Sequence, residues 1–387
     1  MIINGERSLA YIAKITNIEP IPNYDRVELA TINDGWRVII SKDDHFMVGD
    51  WCIYFEVDSK VPETDERFAF LAKRNYRVKT LKMCGTISQG LVCPIVNFPE
   101  VVHCKFGEDV GKILGVEYYE PGDNDRKNYY TNRSLEDRLK DQHKRWYNAK
   151  IVKWLLKRKW GRKLLEKVFK KKKSNKGFPT FISKTDEERV ENMPWVLGNG
   201  KKYVLTEKLD GTSSTYVLQR KSFGRFEFYV CSRNVRQENE NQACYHDYNI
   251  YWAMAKKYSI EKHLRDYLKR HKDVKWVCIQ GESVGSVQGN PLKLKEDDLY
   301  IFNLINSKYG RCGSLEGRDT ILGWDMKWVP VLGIGETQDN MEDMKAFATS
   351  NSVVNPEVLR EGIVYRSLDG KESFKNVSRE YLLKHNQ

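Results

Sequence analysis

Between Arg126 and Gly177 the chain carries 20 lysines and arginines against four acidic residues, a local balance of +16 in a protein whose net charge is +12. Everything else is therefore slightly acidic, at −4. The basicity belongs to one insert with folded chain expected on either side of it, and 387 residues suit two or three domains. The insert also holds Tyr129, Tyr130, Trp146, Tyr147, Trp154, Trp160 and Phe169, and its apolar residues Val152, Leu155, Leu156, Leu164 and Val168 have helical spacing. A charge run is most often a solvated surface. A basic helical run with interleaved aromatics also suits a polyanion, because cations neutralise phosphates and rings stack on bases. The cluster Lys170–Lys173 is its densest part.

No stretch reaches the roughly 18 uninterrupted apolar residues that a membrane helix needs. The start, Met1-Ile-Ile-Asn-Gly-Glu-Arg7, has no apolar signal core, so an intracellular setting, cytoplasmic or nuclear, is expected. Eight scattered cysteines form no CxxC pair. Cys84, Cys93, His103 and Cys104 come nearest to a zinc cluster, but their spacing fits neither a finger nor a ribbon, and reduced thiols are the better reading.

Residues 1–120 read as short strands separated by turn residues. Ala10–Thr16, Trp36–Ile40, Trp51–Val57 and Gly90–Val96 are apolar or alternating runs, punctuated by Asn33-Asp-Gly and Val48-Gly-Asp. Strands at this spacing without long helices between them predict a small barrel or sandwich. After the insert, taken as 121–178, Thr185-Asp-Glu-Glu188 has the capping-box pattern, which predicts a helix ending before Pro194. Val204–Glu207, Phe226–Ser232 and Trp276–Gln280 read as strands, and Tyr248–His271 as one long helix.

Chemistry concentrates in an ordered series. Thr206-Glu-Lys208-Leu-Asp210-Gly-Thr follows an apolar strand and closes in a glycine turn. Arg233 lies 25 residues on, at the end of the strand that begins at Phe226. Glu282 ends the strand from Trp276, Phe302 sits amid the apolar run Leu299–Leu304, and Glu361 is followed 14 residues later by Lys375. Each piece alone has an ordinary reading: an exposed lysine, a strand-end glutamate, a core phenylalanine. Their order over roughly 170 residues is what matters.

Together they resemble the adenylyltransferase domain shared by ATP-dependent ligases and capping enzymes. The resemblance implies a covalent lysyl-AMP on Lys208. Asp210, Glu282 and Glu361 would hold Mg2+ or Mn2+, largely through waters. Arg233 and Lys375 would contact ribose or phosphates, and Phe302 would stack on adenine. Backbone groups near Thr206 and Glu207 would read the adenine edge. A lysine is inert while protonated, so burial and a neighbouring cation, Lys375 or the metal, are expected to depress the pKa of Lys208.

Further text narrows the match. Ile18-Glu-Pro-Ile-Pro-Asn-Tyr-Asp-Arg-Val-Glu-Leu-Ala30, Val48–Ser59, Gly85–Leu91 and Phe181–Arg189 resemble the fifth RNA ligase family. That family implies an α+β protein. An N-terminal OB-like β-barrel (1–120) precedes a mixed α/β, ATP-grasp-like nucleotidyltransferase domain built on antiparallel sheets (179–387). Only twelve residues follow Lys375, too few for the trailing OB domain of capping enzymes and DNA ligases. The implied activity is ATP-dependent sealing of 3′-OH to 5′-phosphate ends at nicks in duplex RNA or an RNA/DNA hybrid, with no membrane and no obligatory protein partner. One departure stands out: relatives carry Lys-x-Lys in the last motif, and here the second position is Val377. Either Lys375 serves both roles or another lysine, such as Lys371, supplies the second charge. On this reading lysyl-AMP formation needs only residues between Lys208 and Lys375, and residues 1–120 grip nucleic acid. The alternatives are an RNA-binding OB protein with a degenerate nucleotidyltransferase core, a DNA ligase, or a capping-type enzyme.

Overall fold

The computed structural model describes residues 2–3, 6–119, 135–136, 139, 144–168, 177–240 and 248–385. Tyr129, Tyr130, Phe169, Lys170–Lys173 and Cys244, singled out in the sequence, lie outside them.

The N-terminal part is a curled five-stranded antiparallel sheet in the order Leu91–Pro94, Trp51–Phe55, Ala10–Pro20, Val27–Ile32, Trp36–Ser41. Ala10–Pro20 is shared between two halves: its first five residues pair with Trp51–Phe55 and its last with Val27–Ile32. The register shifts between Ile15 and Asn17, which lets the strand bend and the sheet curl. Because successive side chains point to opposite faces, Ala10 and Ile12 join one apolar cluster with Phe55, Phe68 and Phe98. Tyr11, Ala13 and Ile15 join another with Trp36, Val38 and Tyr54. The sequence reading did not single out Val27–Ile32, which alternates apolar and polar residues too weakly to stand out. Its hairpin to Trp36 turns through Asn33, Asp34 and Gly35, and Asn33 and Asp34 take positive φ (50° and 60°), which Asn and Asp tolerate better than other residues with a side chain.

The C-terminal part is built on two sheets. One runs Glu188–Arg189, Ser373–Val377, Gly362–Ser367, Tyr203–Lys208, Val331–Gly335. In the other, Thr212–Arg220, Trp276–Val284 and Asp298–Asn306 are consecutive neighbours. Helices Ile250–Lys257, Ile260–Arg270 and Ser314–Leu322 cover the second sheet and bury the largest apolar cluster of the chain. The single helix expected over Tyr248–His271 is two, broken at Ser259, whose backbone is left-handed (φ 46°). The break lets Ile250 and Met254 on one helix and Ile260 and Leu264 on the next all reach that cluster.

The helix expected from Thr185–Glu188 does not form. Thr185 Oγ1 bonds Ser213 Oγ at 2.8 Å instead of capping a helix. Glu188–Arg189 is a short strand parallel to Ser373–Val377, followed by two 3₁₀ turns. The capping pattern is a local preference, and here distant partners outbid it. Asp186 pairs with Lys375 (2.9 Å), Glu187 with Arg366 (3.1 Å), Arg189 with Asp58 (3.2 Å) and Glu191 with Lys345 (2.5 Å). No single helix face could satisfy those directions at once.

Asn192 ends this strap inside the boundary between the two parts. Its side-chain carbonyl accepts from Trp36 Nε1 (2.7 Å) and Tyr11 Oη (3.1 Å). Its amide donates to Glu56 and Glu188, each at 2.8 Å. Gly35 is required beside it: a Cβ there would lie 1.9 Å from the carbonyl oxygen of Glu191.

In the insert, helices Lys150–Leu156 and Lys159–Val168 bury Val152, Leu156 and Leu165 against Leu135 and Leu139. The expected stripe is off by one position at its end, since Leu164 and Val168 are exposed and Leu165 faces inward.

The Asn192 network sets the first test. Asn192→Ala takes the acceptor from the buried indole N–H and the Tyr11 hydroxyl and removes one donor from Glu56, and is expected to cost about 3 kcal/mol or more. Asn192→Asp, which removes the donor and adds a charge beside Glu56 and Glu188, is expected to cost more than Ala. Urea unfolding of the full chain reads both, and a loss below about 1 kcal/mol for either contradicts this account.

Candidate active site

Lys208 ends the strand Tyr203–Lys208, and the chain crosses through Leu209-Asp210-Gly211 into Thr212–Arg220 of the other sheet. The lysine thus stands where the two sheets meet. Gly211 makes the crossing possible, because a Cβ on it would come within 2.3 Å of the Ser283 carbonyl oxygen. Strand Trp276–Val284 brings Glu282 to this seam, and Glu361 arrives just ahead of Gly362–Ser367. Lys208 pairs with Gly362 in the ladder, so Glu361 lies beside it by register.

Lys208 Nζ donates to Glu361 Oε1 at 2.5 Å. Burial lowers the pKa of the lysine, but Glu361, Glu282 and Asp210 outweigh burial and hold it above its ordinary value. The expected depression is therefore absent when only protein groups surround it. Lys375, the expected neighbouring cation, is tied to Asp186 at 2.9 Å. Glu282 is pushed up to about 8, first by burial and then, against the pull of Lys208, by the charges of Glu361 and Asp210. Glu361 is raised by burial and by Asp210, while Lys208 pulls it down; its second oxygen is buried without a hydrogen bond. Among the described residues, no three His, Cys, Asp or Glu side chains are placed to hold a metal ion directly. The described cysteines are free, and His103 completes no cluster with them.

The nucleotide-facing candidates fare unevenly. Arg233 donates to Asp186 at 3.1 Å, and its guanidinium lies 5.1 Å from the centroid of the Tyr118 ring. Phe302 is half-buried, with the Arg366 guanidinium 5.5 Å from its ring and bonded to its carbonyl at 2.6 Å. Thr206 is buried in a strand paired on both edges, and the Glu207 N–H goes to Pro330 O at 2.9 Å. The open group there is the Glu207 side chain and not the backbone. One carboxylate oxygen accepts the Val353 N–H at 2.8 Å, and the other is buried and unpartnered. Val377 is buried and Lys371 is 85% exposed beside Asp369, so Lys371 does not supply a second cation in the seam. Burial lowers Lys375; Asp186 opposes that, and Arg7, Arg189 and Lys208 reinforce it.

Three groups were missed. Asp186 holds both Lys375 and Arg233; against the cost of burial, these cations keep its carboxyl well below the ordinary range. Its neighbours were read as a helix start, which hid it. Tyr381, on helix Arg379–Lys384, donates to Asp210 Oδ2 at 2.6 Å. It lies in the twelve residues after Lys375, where no motif marks it. Tyr118 lies between two guanidiniums, Arg7 at 5.4 Å and Arg233 at 5.1 Å. The N-terminal part is thus in contact with the site.

Comparison with known proteins agrees with this architecture. Residues 9–95 match a family model described as an OB-fold domain, and residues 201–384 match one described as RNA ligase. Among solved structures, Naegleria gruberi RNA ligase with PPi is 30% identical, with TM-score 0.74, covering 98% of this chain and 99% of that one. A lysine-to-alanine variant of the same ligase with ATP and Mn is 30% identical, with TM-score 0.73, covering 98% of each chain. A lysine-to-methionine variant with AMP and Mn is 31% identical, with TM-score 0.74, covering 98% and 99%. No curated protein matches the sequence.

The elevated Glu282 gives a pH test. In the unfolded chain this carboxyl loses its proton near 4.5, in the folded chain near 8. Between those values the folded state binds more protons, so this group makes stability fall as pH rises. Without divalent metal, melting temperature should fall more steeply from about pH 5 to 8 for the native chain than for Glu282→Gln. Parallel curves would remove Glu282 from the shared carboxylate cluster. Tyr381→Phe, which leaves the ring in place, should slow labelling by ATP about tenfold, the range of one hydrogen bond to a charged group. An unchanged rate would make that bond incidental.

Proposed function

The chain belongs to the RNA ligase family, and from that premise we propose that it seals 3′-OH to 5′-phosphate ends at nicks in duplexes through a lysyl-AMP on Lys208. It is an ATP-dependent RNA ligase with an OB-fold domain ahead of its ligase domain. The observation that carries the residue assignment is the seam itself: one lysine between two sheets, bonded to Glu361 and flanked by Glu282 and Asp210. The solved relative's variants supply support. They alter a lysine and an aspartate two residues apart, and a glutamate fourteen residues ahead of a lysine. Lys208 and Asp210 share the first spacing, and Glu361 and Lys375 the second.

The proposed chemistry follows from these positions. Lys208 Nζ attacks the α-phosphorus of ATP, an N–P bond forms, and the bond to the leaving oxygen breaks as pyrophosphate departs. Glu361 is placed to take the ammonium proton, and its raised pKa suits it to that task. Lys375 and Arg233, released from Asp186, face the phosphates. Phe302 and the unpartnered oxygen of Glu207 suit the base. Asp210, Glu282 and Glu361 fit a hydrated divalent ion better than a bare one, since they are not clustered tightly enough for direct ligation and Glu361 keeps a spare buried oxygen. When bound, such an ion supplies positive charge that offsets the carboxylates holding the Lys208 proton. AMP then passes to the 5′-phosphate, and the 3′-OH attacks the adenylylated end and releases AMP. The OB-fold part has two roles on this reading: it steadies Arg233 through Tyr118, and it grips the duplex.

Lys208→Ala and Lys208→Arg should both abolish covalent labelling by α-labelled ATP, because a guanidinium stays protonated and cannot attack. Label surviving a denaturing gel in either variant overturns the assignment. Nicked RNA duplexes should be joined faster than unpaired RNA ends or nicked DNA, and equal rates would reject the nick reading. Tyr118→Ala should slow labelling by about fivefold to tenfold, as expected for a lost cation–π contact. Full-rate labelling in Tyr118→Ala would restore the N-terminal part to substrate gripping alone.

A further inference from the structure

The insert is not used by the chemistry above, yet both of its described flanks meet beside Arg233. Ahead of it, Tyr118 lies against the Arg233 guanidinium and Tyr119 N–H bonds the Asp58 carbonyl at 2.7 Å. After it, Gly177 bridges Val235, two residues past Arg233. The insert therefore springs from the rim of the active site.

Its described helices share a small apolar core. Their outer surface carries two exposed indoles, Trp154 and Trp160, packed edge to face at 5.8 Å. Arg158 lies 4.4 Å from the Trp154 ring centroid, and Lys153 lies 5.4 Å from that of Tyr147. Residues 144–168 hold ten lysines and arginines against one glutamate, Glu166. So dense a cationic surface calls for a polyanion. A helix that lies in a lipid interface separates its cations from its apolar face. Here Arg158 sits on the Trp154 ring itself, so burying that indole in lipid would strip water from the charge. Bases and phosphates accept both groups together: a ring stacks on a base while the adjacent cation meets the backbone. In a duplex the base faces are already stacked, so exposed indoles suit unpaired nucleotides.

We propose that the insert binds unpaired RNA adjoining the ligation site, by stacking on Trp154 and Trp160 with phosphate contacts from Lys153 and Arg158. This deepens the RNA ligase reading and rests on it for the identity of the polyanion.

The test uses the full chain carrying Lys208→Ala, so that binding is measured without turnover. Two RNAs are compared: a nicked duplex that is fully paired, and the same duplex with a single-stranded extension. The parent should bind the extended RNA more tightly. Adding Trp154→Ala and Trp160→Ala should remove that preference, a loss of about tenfold on the extended RNA from stacking alone, with little change on the paired one. Trp154→Tyr with Trp160→Tyr should retain most of it, which separates stacking from loss of fold. Lys153→Glu with Arg158→Glu should flatten the dependence of affinity on salt. Equal binding of both RNAs by the parent, or unchanged binding by the alanine and glutamate variants, overturns the proposal. So does capture by phosphatidylserine vesicles that the tryptophan variants abolish while RNA binding persists. Labelling by ATP in the chain with Lys208 intact is scored separately; its absence would defeat the ligase reading and leave the binding result standing.

Discussion

The strap from Asp186 to Asn192 is the constraint on which the rest of the molecule hangs. Six of its seven residues carry a charge or a carboxamide, and they reach both the N-terminal sheet and the seam between the C-terminal sheets. Taking so many charges out of water is costly, and it is tolerated because partners meet them: Lys345 and Glu191 are 3% and 1% exposed and 2.5 Å apart. Such pairs contribute little net stability over apolar packing, but a misplaced one is severely penalised. Their effect here is to fix position. Arg189 can reach Asp58 and Asn192 can reach Trp36 in one arrangement of the two parts, and in that arrangement Asp186 stands between Lys375 and Arg233. The C-terminal helix repeats the device, since Arg379 bonds Gln89 of the N-terminal part at 3.0 Å while Tyr381, pointing from the other side of the same turn, holds Asp210.

This arrangement explains the electrostatic state of the seam. Three carboxylates around one lysine leave the resting site with excess negative charge, which keeps Lys208 protonated and Glu282 partly neutral. A nucleotide triphosphate approaching such a site meets repulsion from the carboxylates, so cations must line the approach. On the proposed function Lys375 and Arg233 are those cations, and both are bonded to Asp186. Asp186 holds the two cations in place at a cost smaller than leaving them unpaired, and on the proposed function phosphate oxygens take over its role.

Much of the architecture was legible because it is written locally. The strand runs, the Asn33-Asp34 turn and the ordered residues from Lys208 to Lys375 each carry their signal within a few positions. What escaped notice depends on partners far along the chain. Thr185–Glu188 satisfies every local rule for a helix start, yet its side chains bond residues such as Ser213, Arg366 and Lys375. Tyr381 has no motif around it, and only the folded chain reveals Asp210 at its hydroxyl. Glu207 was passed over for its backbone because a side chain in an apolar strand looks structural until its unpartnered oxygen is seen. The shift from Leu164 to Leu165 has a different origin: with two adjacent leucines in the middle of a short helix, sequence spacing does not decide which one turns inward.

The insert shows why a ligase of this design can acquire an additional module. Its flanks are pinned, Tyr118 in a two-stranded ladder with Ser59 and Gly177 on Val235, and both lie beside Arg233. When the ends of a segment are already held close by the surrounding fold, lengthening it adds closure entropy only logarithmically, about 0.6 kcal/mol for each doubling. A segment that also buries its own leucines, as Leu135, Leu139, Leu156 and Leu165 do, recovers part of the cost of ordering itself. Such a position tolerates an added module, and among the described residues its apolar side chains pack on one another. The concentration of cations and indoles on its outer side is then what a partner outside this chain would account for.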